Sequence, residues 1–81
     1  MKHEFQSGFL EQLDSFPLEI QNKFQKQLRF LLQNIRHPSL RAKKYGGDEN
    51  LWQARVDRNV RFYFEIQNDT ITFLSIKKHP K

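Results

Sequence analysis

The spacing of apolar residues changes once along this chain, at Pro38, and that change dictates a helix-then-sheet architecture. Before it, Ile20, Phe24, Leu28, Leu31, Leu32 and Ile35 recur at three- and four-residue intervals, the stripe of an amphipathic helix. Pro17 reads as the first residue of that helix and Glu19 sits in its first turn, where an acid suits the helix dipole. Lys23, Lys26, Gln27 and Gln33 fall between the apolar positions. Arg36 and His37 occupy the last turn, and Pro38 stops it. Ahead of the long helix, Ser7 is a candidate N-cap for a short one carrying Phe9, Leu10 and Leu13 on one face, and residues 2–5 fit a short edge strand.

Beyond Pro38 the pattern becomes that of strands. Ala42–Tyr45 fits a short one and leads into a Gly-Gly-Asp loop. Leu51–Val56, Val60–Gln67 and Thr70–Lys77 follow, rich in β-branched and aromatic residues. Their breaks, Asp57-Arg58-Asn59 and Asn68-Asp69, are too short for anything but antiparallel neighbours. The expected fold class is α+β: a helical hairpin packed on a curved, mainly antiparallel sheet of three to four strands, with residues 1–81 forming one domain.

An 81-residue domain buries only about 60–65% of the surface its unfolded chain exposes. With no cysteine it has neither a disulfide nor a thiolate-bound metal to stabilise it. His3, His37 and His79 stand in no ligand-like spacing, so neither a metal nor another cofactor is expected. Eight Phe, two Tyr and one Trp point instead to an aromatic core, and a bound partner would add stability by mass action. No apolar run approaches the roughly 20 residues that cross a bilayer, and the N-terminus lacks the apolar stretch of a signal peptide, so a cytoplasmic protein with no membrane partner is expected.

The formal charge is +5, and its distribution matters more than its size. Residues 1–35 carry four basic and four acidic groups, whereas residues 36–81 carry ten basic and five acidic ones. A basic half-molecule is the electrostatic footprint of a protein that meets a polyanion.

Pairing the strands locates that charge. A three-residue loop at Asp57-Arg58-Asn59 sets Val56 against Val60, Arg55 against Arg61, Ala54 against Phe62 and Trp52 against Phe64. Alternation then gathers Trp52, Ala54, Val56, Val60, Phe62, Phe64 and Ile66 on one face, ready to receive the long helix. The other face carries Gln53, Arg55, Arg61, Tyr63 and Glu65. Two arginines directly opposite each other repel, at a cost to stability. Either an anionic ligand gripped by guanidinium forks explains them, or Arg55 or Arg61 forms an ordinary surface ion pair with Glu65 or Asp57. In the first case Tyr63 offers a ring for a base to stack on, and Lys43, Lys44, Lys77 and Lys78 ring the site.

The chain lacks a nucleophile elbow, a Cys/His pair and a Gly-rich phosphate loop. What remains is His79 with Arg and Lys side chains. Metal-free RNA cleavage needs little else, because the substrate's 2′-hydroxyl is the nucleophile, protons must be moved, and cations must stabilise the phosphorane. Histidine is the residue type that moves protons near neutral pH, although His79 taken alone reads as a surface residue.

The chain resembles the RelE/ParE superfamily of toxins from toxin–antitoxin systems along nearly its whole length. Phe16-Pro17, the His37-Pro38-Ser39-Leu40 turn, Lys43-Lys44-Tyr45-Gly46, Leu51–Val56, Val60–Glu65 and Ile76-Lys77-Lys78-His79 carry the likeness by their order and spacing. The resemblance implies a metal-free, ribosome-dependent endoribonuclease that cuts messenger RNA, so that ribosome and mRNA would be partners along with an acidic antitoxin. It implies catalytic roles for Arg61, His79, Lys43 and Lys44 and a basic RNA-contacting position at Arg55, while Tyr63, Lys77 and Lys78 join Arg55 and Arg61 as expected RNA contacts from the strand pairing alone. Two departures stand out. Pro80 follows His79 where some members have tyrosine, and no carboxylate precedes Lys43 where some carry a general base. Two other functions share the fold: a ParE-like DNA gyrase inhibitor, whose helical hairpin tends to be longer, and a catalytically inactive binding protein.

Overall fold

The computed structural model describes residues 2–79. Its elements are β1 (Lys2–Phe5), α1 (Phe9–Asp14), α2 (Leu18–Gln33), a 3₁₀ turn (Pro38–Leu40), β2 (Lys43–Lys44), β3 (Leu51–Arg55), β4 (Val60–Gln67) and β5 (Thr70–Lys78). The fold is α+β, with two helices packed on an open five-stranded sheet of order β1-β5-β4-β3-β2.

The sheet is mixed. β2 to β5 form an antiparallel meander, but β1 runs parallel to β5, pairing Lys2 with Thr70 and Phe5 with Phe73. The edge strand anticipated at residues 2–5 is therefore the fifth strand, one more than the three to four expected. Strand β1 lies at one edge and β2 at the other, so the helices must carry the chain across the whole sheet. The 16 residues of α2 span about 24 Å, enough for five strands set about 4.8 Å apart.

The β3–β4 register is the one that alternation dictates: Arg55 faces Arg61, Ala54 faces Phe62, Gln53 faces Tyr63 and Trp52 faces Phe64. Val56 N donates to Val60 O at 2.9 Å and closes the three-residue loop. A bulge at Leu74, between the pairs Tyr63–Ser75 and Phe64–Phe73, interrupts the β4–β5 ladder, a device that bends and twists the strand. Phe9, Phe24, Phe62, Phe64 and Phe73 are fully buried between helices and sheet, where Phe24 meets Phe62 edge-on at 5.3 Å.

Three helix boundaries differ from expectation, the first being that α2 begins at Leu18, with Pro17 as its N-cap rather than its first residue. α2 ends at Gln33, because Asn34 turns extended and its Oδ1 accepts from Arg36 N at 3.0 Å, an Asx turn that competes with helix. His37 is consequently outside the helix. It stacks on Phe30 at 3.8 Å, and its Nδ1 accepts from Ser39 N at 3.2 Å to cap the 3₁₀ turn. At the other end Gly8 rather than Ser7 caps α1, with φ +93°, a conformation that suits glycine. Leu10 is exposed instead of sharing the buried face of Phe9 and Leu13. Among the described residues, no helix is long and apolar enough to cross a membrane.

Candidate nucleic-acid interface

The face of the sheet turned away from the helices is where the basic residues converge. Along β3 and β4, alternation places Gln53, Arg55, Arg61 and Tyr63 there. β2 adds Lys43 opposite Gln53, and β5 adds Lys77 opposite Arg61. His79 is brought alongside because its N–H donates to Asn59 O at 2.7 Å, which extends the β4–β5 pairing to the hairpin loop. A concave basin of about 340 Å³ results, lined by Arg41, Lys43, Gln53, Arg55, Arg61 and His79.

Among the described residues, no carboxylate lines this basin. The expected alternative, an ion pair from Arg55 or Arg61 to Glu65 or Asp57, is not formed. Asp57 is engaged elsewhere: its Oδ1 accepts from the N–H groups of Asn59 (2.8 Å) and Val60 (2.9 Å), and its Oδ2 lies 4.0 Å from Lys23 Nζ. Glu65 sits further along β4, opposite Leu51 and Thr72. The result is a concentration of positive charge that no described side chain neutralises. Arg55 registers it: partial dehydration first, then Arg41, Arg61 and Arg58, lower its pKa from the ordinary value, although a guanidinium stays charged at any working pH.

Arg61 is placed differently from the free guanidinium expected. It is only 6% exposed, and its Nη1 donates to the carbonyl oxygens of Asp57 (2.8 Å), Arg58 (3.1 Å) and Val60 (3.4 Å). One end of the guanidinium thus laces the β3–β4 loop together while the side chain still borders the basin. Structure and charge meet in one residue.

Tyr63 does not present an open ring. It is 8% exposed, with Tyr45 edge-on at 5.0 Å and Lys77 Nζ over the ring at 5.1 Å. Burial, with Tyr45 adding and Arg61 opposing, raises its pKa. The accessible aromatic on this face is Tyr45, which is 43% exposed.

Lys44 and Lys78 are not brought to the basin. Strand alternation turns each to the helix side, Lys44 opposite Trp52 with its Nζ 5.8 Å from the indole, and Lys78 opposite Val60. Pro80 lies outside the described residues.

Arg41 and Tyr45 are the contributors that inspection of the sequence passes over. Both share the odd-numbered parity of Lys43, and that alternation was the available signal. Gln27 was missed as well. It lies on the apolar stripe, three residues after Phe24 and one before Leu28, and it is buried.

No family model matches the chain, and no curated protein matches it. Solved structures do. The YoeB/ParE toxin from Agrobacterium tumefaciens superposes with a TM-score of 0.82 at 13% identity, over 99% of this chain and 100% of that one. The YoeB dimer from Staphylococcus aureus gives 0.82 at 15%, over 99% and 98%. The RelB–RelE antitoxin–toxin complex from Methanococcus jannaschii gives 0.75 at 25%, over 91% and 87%. The chain has the fold of the RelE/ParE toxin superfamily.

Proposed function

We propose that this chain, built on the RelE/ParE toxin fold, is the toxin of a type II toxin–antitoxin pair and cuts messenger RNA on the ribosome without a metal. The observation that supports this reading best is the basin in which Arg41, Lys43, Arg55 and Arg61 converge with His79 and, among the described residues, no carboxylate stands. A pocket with several cations and no acid favours a ligand with more than one negative charge, and a nucleic-acid backbone supplies phosphates in series.

The chemistry is the internal transesterification of RNA. The 2′-hydroxyl gives up its proton to solvent water and attacks the adjacent phosphorus, charge accumulates on the phosphorane oxygens, and the bond to the 5′-oxygen breaks to leave a 2′,3′-cyclic phosphate. Arg55 and Lys43 stabilise that charge, and Arg61 adds to it from its fixed position in the hairpin. His79 is the side chain in the basin of a type that exchanges protons near neutral pH, and it serves as the acid toward the departing 5′-oxygen. Tyr45 supplies the aromatic surface for a neighbouring base.

The antitoxin is proposed to be acidic, matching the basic half of the chain. The relative from Methanococcus jannaschii was solved as an antitoxin–toxin complex, which supports such a partner. Its binding would also stabilise so small a domain.

Controlled expression in a bacterial host, followed by primer extension on an abundant message, tests this. Growth arrest is expected with discrete cuts inside translated codons, absent when translation is blocked. Arg55→Ala should abolish both, and is the cleaner probe because Arg61 also holds the hairpin. Arrest with intact message would point to gyrase instead, and no arrest would leave a fold that only binds.

A further inference from the structure

Gln27 sits on α2, on the opposite side of the sheet from the basin, and is 5% exposed. A buried amide is costly unless its hydrogen-bonding groups are satisfied, and an apolar residue in this stripe would avoid that cost. Here Nε2 donates to Arg55 O at 2.8 Å and to Ser39 O at 3.0 Å, while Oε1 accepts from Ser39 Oγ at 3.0 Å. One side chain thereby joins the helix to the last residue of β3 and to the middle of the 3₁₀ turn.

Both tethered segments carry a guanidinium of the basin. Arg55 is itself a tether point. Arg41 caps the 3₁₀ turn two residues after Ser39, with φ 46° and ψ 43°, the left-handed region that long side chains seldom adopt. Such a conformation persists where its surroundings over-determine it. Leu40, fully buried, anchors the turn from one side, and Gln27 with Ser39 anchors it from the other. Arg41 and Arg55 repel each other, an unfavourable approach that the contacts joining their two segments offset.

We propose that Gln27 is a positioning residue for the basin, locking the turn that carries Arg41 to the strand end that carries Arg55 so that both guanidiniums engage one stretch of RNA backbone. This rests on the reading of the basin as an RNA site. Gln27 touches no ligand itself; it acts through the two arginines, and Arg41 becomes a phosphate-binding residue alongside Arg55.

The test uses the isotope-labelled full chain and a short single-stranded oligoribonucleotide carrying 2′-O-methyl groups, which 2′-hydroxyl attack cannot cleave. Side-chain Nε–H resonances of Arg41 and Arg55 should shift together on titration, with one Kd. Gln27→Leu should weaken binding about tenfold while the backbone spectrum stays that of a folded chain. In an Arg41→Ala background the same substitution should cost little more, because its route to the ligand is already gone. If Gln27→Leu does not fold, Ser39→Ala takes its place, with weaker binding that Ser39→Thr restores. Undiminished affinity in the tether variants, losses that simply multiply in the double variant, or an Arg41 signal that ignores the oligonucleotide while Arg55 responds would each overturn the inference. Should no arginine respond in the wild-type chain, the RNA reading of the basin fails, and the inference fails with it.

Discussion

Arg55 and Arg61 face each other across the β3–β4 ladder, yet one guanidinium is fastened to the protein and the other is not. Arg61 Nη1 donates to carbonyl oxygens of the hairpin loop, whereas no intramolecular hydrogen bond engages the side chain of Arg55 among the described residues. This asymmetry separates two effects that a pair of like charges would otherwise confound. Arg61 contributes to the fold, and Arg55 is held near three other guanidiniums at a cost to it.

Arg61→Ala should therefore destabilise the chain by about 1–3 kcal/mol, the range for losing hydrogen bonds from a charged donor to buried acceptors. Arg55→Ala should leave stability unchanged or raise it slightly, since repulsion from Arg41 and Arg61 is relieved. Denaturant unfolding of the two variants decides this. If Arg55→Ala proves the more destabilising, the assignment of a structural role to Arg61 alone is wrong.

Tyr63 makes the fold sensitive to alkali. Its pKa is raised by burial, so the folded state holds the phenolic proton more tightly than the unfolded chain does. The associated stability is complete below about pH 10, the ordinary tyrosine value, and is lost as pH rises through the higher folded value. Melting midpoints should fall through that alkaline window more steeply for the wild-type chain than for Tyr63→Phe. Identical slopes would mean that Tyr63 titrates as an ordinary surface phenol.

How much of this was legible beforehand follows from what alternation can and cannot carry. The register of β3 on β4 was readable because a three-residue loop and a strict period of two leave one arrangement with Trp52, Ala54, Phe62 and Phe64 all on the helix side. The same rule turns Lys43 to the basin and Lys44 to Trp52, a distinction open to inspection but lost when the two lysines are taken as a unit. The lacing of Arg61 was not legible, because its partners are backbone carbonyls of a loop whose shape exists only once the hairpin has closed. Gln27 was hidden for the same reason: its three hydrogen bonds reach Ser39 and Arg55, which folding brings to the helix. The early stop of α2 follows from Asn34, whose side chain offers the backbone an alternative to the helix.

Phe24 is the residue on which helix–sheet packing most depends. It is fully buried and its ring meets Phe9, Phe62 and Phe73 with centroids 5.3 to 5.8 Å away. Phe24→Ala should cost about 3–5 kcal/mol, a large part of the roughly 5–15 kcal/mol that a domain of ordinary stability possesses. The variant should be largely unfolded alone by circular dichroism, and folded again once a tight partner is added. A cooperative melt close to that of wild type would show that the core repacks around the void.

Lys43 and Lys44 offer a test of the interface by orientation alone, since adjacent lysines differ little in charge or local concentration. Lys43 lines the basin, while Lys44 lies across the strand with its ammonium over Trp52. Binding of a single-stranded oligoribonucleotide, followed by fluorescence anisotropy over a range of salt, should show Lys43→Ala lowering affinity and reducing the salt slope by about 0.7, the value for one phosphate contact on a single strand. Lys44→Ala should leave the slope unchanged, with its effect confined to a small loss of stability from the cation–π contact. Tyr45→Ala extends the comparison to an uncharged group on the same face: affinity should fall at every salt concentration with the slope preserved, because stacking releases no counterions. Were Lys44→Ala to change the slope as much as Lys43→Ala, the nucleic acid would be contacting the helix side or the sheet edge, and the basin would lose its claim to be the interface.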